Sequence, residues 1–109
     1  MEYHSNISKR KQLLKKLVAT ILLYENDIIN ALYLDFKKTE FEAVLTEINI
    51  VQKDLKTTIS NIEKWSKPKK VWPSLLNFPT RDFILKEPFG KVLIMSPWNY
   101  PFQLALCPL

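Results

Sequence analysis

The sequence predicts an incomplete α/β fold: N-terminal helices, then the first strands of a sheet. Three observations predict it. Apolar residues recur at helical spacing through most of the first 65 positions. Four of the seven prolines then fall within residues 68–90, where that periodicity stops. A short unbroken apolar run, Val92-Leu93-Ile94-Met95, follows the only glycine, and such a run reads as a strand buried on both faces of a parallel sheet.

Residues 8–24 form the first amphipathic pattern. Leu14, Leu17, Val18, Ile21 and Leu22 share one helical face, and Lys9, Lys11, Lys15 and Lys16 lie away from it. Glu25-Asn26-Asp27 breaks the pattern and offers an N-cap. A second, shorter helix reaches about Phe36 with Ile28, Ile29, Leu32 and Phe36 on one side. Thr39 and Glu42 have the spacing of a capping box, in which the threonine oxygen takes one free amide and the glutamate another. Beyond it Phe41, Val44, Leu45, Ile48, Val51, Leu55, Ile59, Ile62 and Trp65 recur without a Gly or Pro. That helix runs about 26 residues, or roughly 40 Å, and Pro68 ends it.

The rest of the chain changes character. Residues 80–87 read as extended, with Phe83 and Leu85 alternating against Asp82, Ile84 and Lys86. Pro88-Phe89-Gly90 is a turn, and a positive φ explains its glycine. The apolar run follows, then the loop Ser96-Pro97-Trp98-Asn99-Tyr100. Pro101 suits the first turn of a last helix carrying Phe102, Leu104, Ala105 and Leu106. Three segments result: helical residues 1–67, Pro-rich residues 68–90, and residues 91–109, which begin a sheet domain. A lone buried strand lacks its neighbours, so the chain is expected to be the N-terminal piece of a larger protein.

Composition excludes several functions. A chain this long would carry roughly eight glycines at average usage; this one has a single glycine. A G-x-G-x-x-G loop or a P-loop is therefore impossible within it. One Cys and one His supply neither an intrachain disulfide nor a Cys/His zinc site. The net charge of +5 is concentrated in two blocks. Residues 1–16 hold Lys9, Arg10, Lys11, Lys15 and Lys16 against Glu2, and residues 64–70 hold Lys64, Lys67, Lys69 and Lys70. Such blocks can bind nucleic acid or anionic lipid, but more often they are solvated faces, and no nucleic-acid partner is expected. No apolar run approaches the length of a membrane span. The single cysteine and the lack of a signal-peptide pattern fit the cytoplasm.

The informative segment is Glu87-Pro88-Phe89-Gly90, the apolar run, and Pro97-Trp98-Asn99-Tyr100-Pro101. It resembles the aldehyde dehydrogenase superfamily, which carries E-P-x-G, a strand, and then P-W-N-[FY]-P. Glu40-Phe41-Glu42-Ala43 with Thr46-Glu47, Trp65-Ser66-Lys67-Pro68 and Leu75-Leu76-Asn77-Phe78-Pro79 are similar to the class 3, fatty-aldehyde-type branch. The resemblance implies a Rossmann-type cofactor domain and oxidation of an aldehyde to an acid with NAD or NADP. It implies that the Asn99 side chain stabilises the oxyanion formed when a cysteine attacks the aldehyde. Met95, Ser96, Pro97 and Trp98 match positions lining the cofactor cleft, and Tyr100 matches one near the substrate funnel. Residues 71–87 match a segment of the oligomerisation sheet, with a surface hairpin within one subunit as the alternative; the full-length protein is then expected to be a homodimer.

Plainer readings compete at each position. Asn99 could cap the helix at Pro101, and Trp98 and Tyr100 could simply pack. Cys107 reads as a small core hydrophobe, because the family's nucleophile and general-base glutamate lie beyond Leu109. Glu40, Glu42, Glu47 and Glu63 read as charges of the long helix, His4 as exposed, and Trp65 and Trp72 as packing residues. No metal ligands are expected, and the 109-residue chain is expected to be inactive alone. A rival reading from another class is a non-catalytic helical interaction module.

Overall fold

The computed structural model describes residues 7–109; Glu2 and His4 lie outside them. Helix α1 (Ile7–Leu23) meets α2 (Glu25–Phe36) at a bend of 65°. The expected cap at Glu25-Asn26-Asp27 is not used. These residues lie inside α2, after an N-cap at Tyr24 that makes no side-chain hydrogen bond. Glu25 and Asp27 occupy the first turn, where negative charge meets the positive end of the helix dipole. Helix α2 stops at Lys37, whose φ of 57° is left-handed and whose N–H donates to the Tyr33 carbonyl at 2.8 Å. That turn redirects the chain and carries the next residue, Lys38, into the interior.

Thr39 caps the following helix as expected, its hydroxyl accepting the Glu42 amide at 3.3 Å. The long helix at 40–65 is present but not uniform. Helix α3 (Glu40–Ala43) passes through a π-helical turn (Val44–Ile48) into α4 (Asn49–Trp65). Thr46 sits in that turn and donates its hydroxyl to the Glu42 carbonyl at 2.8 Å, a back-bond of the kind that bends helices. The wider turn also shifts which residues face inward. Ala43, Glu47 and Ile48 are buried, whereas Phe41 and Leu45, expected on the apolar stripe, are exposed.

The core lies between α1 and α4. Ile21, Ile48, Val51 and Leu55 form its buried centre, flanked by Leu14, Leu17 and Val18 of α1. Leu22 falls outside it and is exposed. The short helix α5 (Pro101–Leu106) returns to this core and adds Phe102 and Leu106, with Cys107 just beyond it.

Residues 68–100 form a projection. Strands β1 (Lys69–Val71) and β2 (Asp82–Ile84) pair antiparallel, with Lys70 opposite Phe83. The extended expectation for residues 80–87 is met at β2, paired within the chain as a hairpin. Trp72, expected to pack, is 97% exposed. Gly90 has a φ of +85°, as its place after Pro88-Phe89 required. The expected strand at 92–95 is not formed, and Leu93 and Met95 are more than four-fifths exposed. A strand buried on both faces exists only between neighbours; among the described residues the sole sheet is the β1–β2 pair.

Candidate functional site

The loop carrying Asn99 is fixed from below by residues that precede it by half the chain. Helix α5 begins at Pro101, which has no N–H, so Phe102 and Gln103 present the first unpaired amides of that helix. Both donate to Glu47 Oε2, at 2.9 and 3.3 Å. Glu47 lies in the π-helical turn with no solvent exposure. Its other oxygen, Oε1, accepts from Lys38 Nζ. Lys38 Nζ in turn donates to the Asn99 carbonyl oxygen at 2.9 Å and lies 4.2 Å from the centre of the Tyr100 ring.

Burial of such a pair needs complete satisfaction, because an unpaired charge in the interior costs several kcal/mol. That condition holds. Both carboxylate oxygens of Glu47 are occupied, and no buried side-chain nitrogen or oxygen among the described residues lacks a partner. The carboxylate also sits at the N-terminus of α5, where negative charge is favourable. Lys38 balances it, so the loop rests on a neutral pair.

Glu47 corrects the reading of it as a surface charge of the long helix. A signal was present in the sequence. Glu47, Val51 and Leu55 recur every four residues, which places the glutamate one turn ahead of two core residues on the same face. Lys38 had no periodic signal, because it lies between helices.

The other expected site residues are brought together only by being consecutive. Met95, Ser96, Pro97, Trp98 and Asn99 are exposed, with Met95 at 83% and Trp98 at 79%. Tyr100 is 36% exposed and faces Lys38. The N-cap of α5 is Tyr100, without a side-chain cap bond. The capping role considered for Asn99 is thus filled by Glu47, and the Asn99 backbone is held while its residue stays exposed.

Cys107 lies away from this loop, against the core. Burial pushes its thiol up from the ordinary value, and the negative charge of Asp54 adds to the shift. A raised thiol is a poor nucleophile at neutral pH. Glu63 contributes at the other end of the core: its hydrogen bond from Lys11, at 2.7 Å, holds its carboxyl below the ordinary range, with Coulombic help from Lys11 and Lys67. No single helix among the described residues is long and apolar enough to cross a membrane.

The chain is similar to known proteins over nearly its whole length. The sequence model of the aldehyde dehydrogenase family matches residues 3–109. The 4,4'-diaponeurosporen-aldehyde dehydrogenase of Staphylococcus aureus is 49% identical over 95% of this chain and 23% of its own length. Aldehyde dehydrogenase family 3 comG of Dictyostelium discoideum is 51% identical over 78% of the chain and 18% of its own. The solved substrate-bound state of Staphylococcus aureus AldH superposes with a TM-score of 0.86 at 48% identity, covering 94% of this chain and 22% of that one. The chain therefore spans less than a quarter of the length of the relatives it matches.

Proposed function

Because this chain belongs to the aldehyde dehydrogenase family, with class 3 relatives, we propose that it forms the N-terminal part of an NAD(P)-dependent enzyme oxidising an aldehyde to a carboxylic acid. Its own contribution is one wall of the active site, with Asn99 as the oxyanion donor. The observation that carries this reading is the anchored Asn99 loop. Its backbone is tied to Lys38, the helix after it is tied to Glu47, and the asparagine remains exposed.

The chemistry follows from what an aldehyde needs. When a nucleophile adds to the carbonyl carbon, the π pair moves onto oxygen and negative charge develops there. A donor already fixed at that point lowers the barrier, because it does not have to reorganise as charge forms. The Asn99 NδH2 group can donate without losing a proton, so it stabilises the charge without ending the step prematurely. The nucleophilic cysteine and the water-activating glutamate come from outside residues 1–109. Cys107 does not substitute, since its thiol is raised and packed on the core.

NAD(P)+ supplies the hydride acceptor when bound. The residues at 95–98 fit one wall of its cleft. Met95 and Trp98 offer exposed apolar surface suited to a flat heterocycle, and Ser96 offers a hydroxyl. The stretch has no cluster of charged donors for a diphosphate, so that part of the cofactor is held elsewhere. The exposed Trp72, Leu75, Leu76 and Phe78 around the β1–β2 hairpin support a homodimer contact through this projection, since apolar patches rimmed by charge mark interaction surfaces. The lone cysteine supports a cytoplasmic setting.

The test is a chimera in which this chain replaces the corresponding N-terminal segment of Staphylococcus aureus AldH. The chimera is expected to reduce NAD(P)+ with an aldehyde, followed by absorbance of the reduced cofactor, and the 109-residue chain alone is expected to show none. A folded chimera without turnover, or turnover by the chain alone, would overturn the proposal.

A further inference from the structure

The geometry points to Lys38 and Glu47 as a positioning pair for the Asn99 loop, coupling the π-helical turn to the register of α5. The inference rests on the reading of Asn99 given above and goes beyond it, because neither residue touches the reacting atoms.

Three features carry it. The pair is buried, with Glu47 at 0% and Lys38 at 7% exposure, and Glu47 shares its helix with the buried Ala43, Ile48 and Val51. An apolar residue there would be simpler if only packing were needed, since replacing a buried ion pair with hydrophobes is often neutral or stabilising. The contacts are also convergent. Every hydrogen bond beyond the pair itself goes to residues 99–103: the Asn99 carbonyl and the amides of Phe102 and Gln103. Finally, the connection is long-range, joining Lys38 to a residue 61 positions away. Among the described residues, the Lys38–Asn99 bond is the side-chain hydrogen bond that ties the loop at 96–100 to the helices.

The π-helical turn belongs to this device. Its extra width places Glu47 beside the start of α5 while Ile48 still enters the core. The two amides fix the axis of α5, and the lysine fixes the Asn99 peptide just ahead of it. Together they define where the Asn99 side chain begins, to the tolerance of a few hydrogen bonds. A donor must be held within about 0.5 Å of its productive position, at hydrogen-bond distance from the developing oxyanion, to be effective. The pair is also neutral overall, so the buried carboxylate does not oppose negative charge forming near the loop.

The experiment uses the full 109-residue chain, labelled with 15N, and follows amide hydrogen exchange and the Asn99 side-chain resonances. Three versions are compared: unsubstituted, the double variant K38M/E47Q, and K38R. The double variant removes both charges at nearly constant volume and leaves the two α5 amides a neutral amide oxygen, a weaker acceptor than a carboxylate. In it, Phe102 and Gln103 are expected to exchange at least tenfold faster and the Asn99 NδH2 signals to shift and broaden. Val51 and Leu55 amides should remain within twofold of the unsubstituted chain. K38R, which keeps a cation and its donors, should restore the Asn99 signals. Unchanged Asn99, Phe102 and Gln103 signals in K38M/E47Q would overturn the inference. So would parallel loosening of Val51 and Leu55, which would make the pair a general structural support, or absence of protection at Phe102 and Gln103 in the unsubstituted chain. Failure of the aldehyde reading would appear instead as a chimera without turnover, and these local exchange rates would not register it.

Discussion

Glu47 is the residue on which most of the local order converges. Its carboxylate is fully buried and accepts from one lysine and two amides. Truncation leaves Lys38 buried without its counter-charge and two helix amides without an acceptor. E47A is expected to destabilise the chain by about 3–5 kcal/mol, the range for breaking a buried pair from one side. K38M/E47Q is expected to cost markedly less; chemical denaturation checks both, and equal losses would contradict the account. The end of the Asn99 loop was legible because Pro101 suits a first helical turn, and α5 begins there. Glu47 was not read correctly, because a glutamate on an amphipathic helix is usually solvated. Its burial depends on Lys38 and on α5, which no local pattern connects to it. Cys107 packs against the core as expected of a small hydrophobe, and burial of its thiol follows from that packing.

At the level of elements, the helices were legible and their junctions were not. Helices α1, α2 and the 40–65 helix follow from apolar spacing, and the Thr39 cap from its side-chain chemistry. The π-helical turn was invisible, because Phe41, Val44 and Leu45 continue an α-helical period through it. Ala43 and Glu47 are buried where Phe41 and Leu45 are exposed, and at Glu47 the bonds to α5 account for it. The run at 92–95 shows the opposite limit. Its composition fits a central strand, yet a strand needs an adjacent backbone to form. Helices α1 and α4 are also joined by Lys11 and Glu63. The Glu63 carboxyl is lowered in the folded chain, so its stabilising effect is present above the ordinary carboxylate value and is lost as pH falls through the lowered one. Acid titration of unfolding should show a small loss below about pH 4.5. K11M should remove that part of the acid limb, and an identical acid limb in K11M would contradict the assignment. The pair is exposed to solvent, so salt should weaken it as well.

The whole molecule is elongated and open. Its radius of gyration is 18.7 Å, with extents of 61 × 27 × 24 Å, whereas a compact domain of this length has about 13 Å. Its accessible surface is 9299 Å²; a compact monomer of this mass exposes roughly 6,300 Å². Exposed apolar side chains contribute to it, with Trp72, Leu75, Leu76, Phe89 and Leu93 all more than four-fifths exposed. Such apolar patches mark surfaces that meet a partner or another part of a protein. The scarcity of glycine fits the helical section, whose left-handed turn is made by Lys37, while Gly90 serves the other positive-φ turn among the described residues. The most direct measurement is kcat of the AldH chimera with and without N99A. The account predicts a fall of about 10²–10³-fold, the usual loss of an oxyanion donor, with KM for the aldehyde little changed and the fold intact by circular dichroism. A folded N99A chimera with undiminished kcat would contradict the placement of the oxyanion donor in this chain.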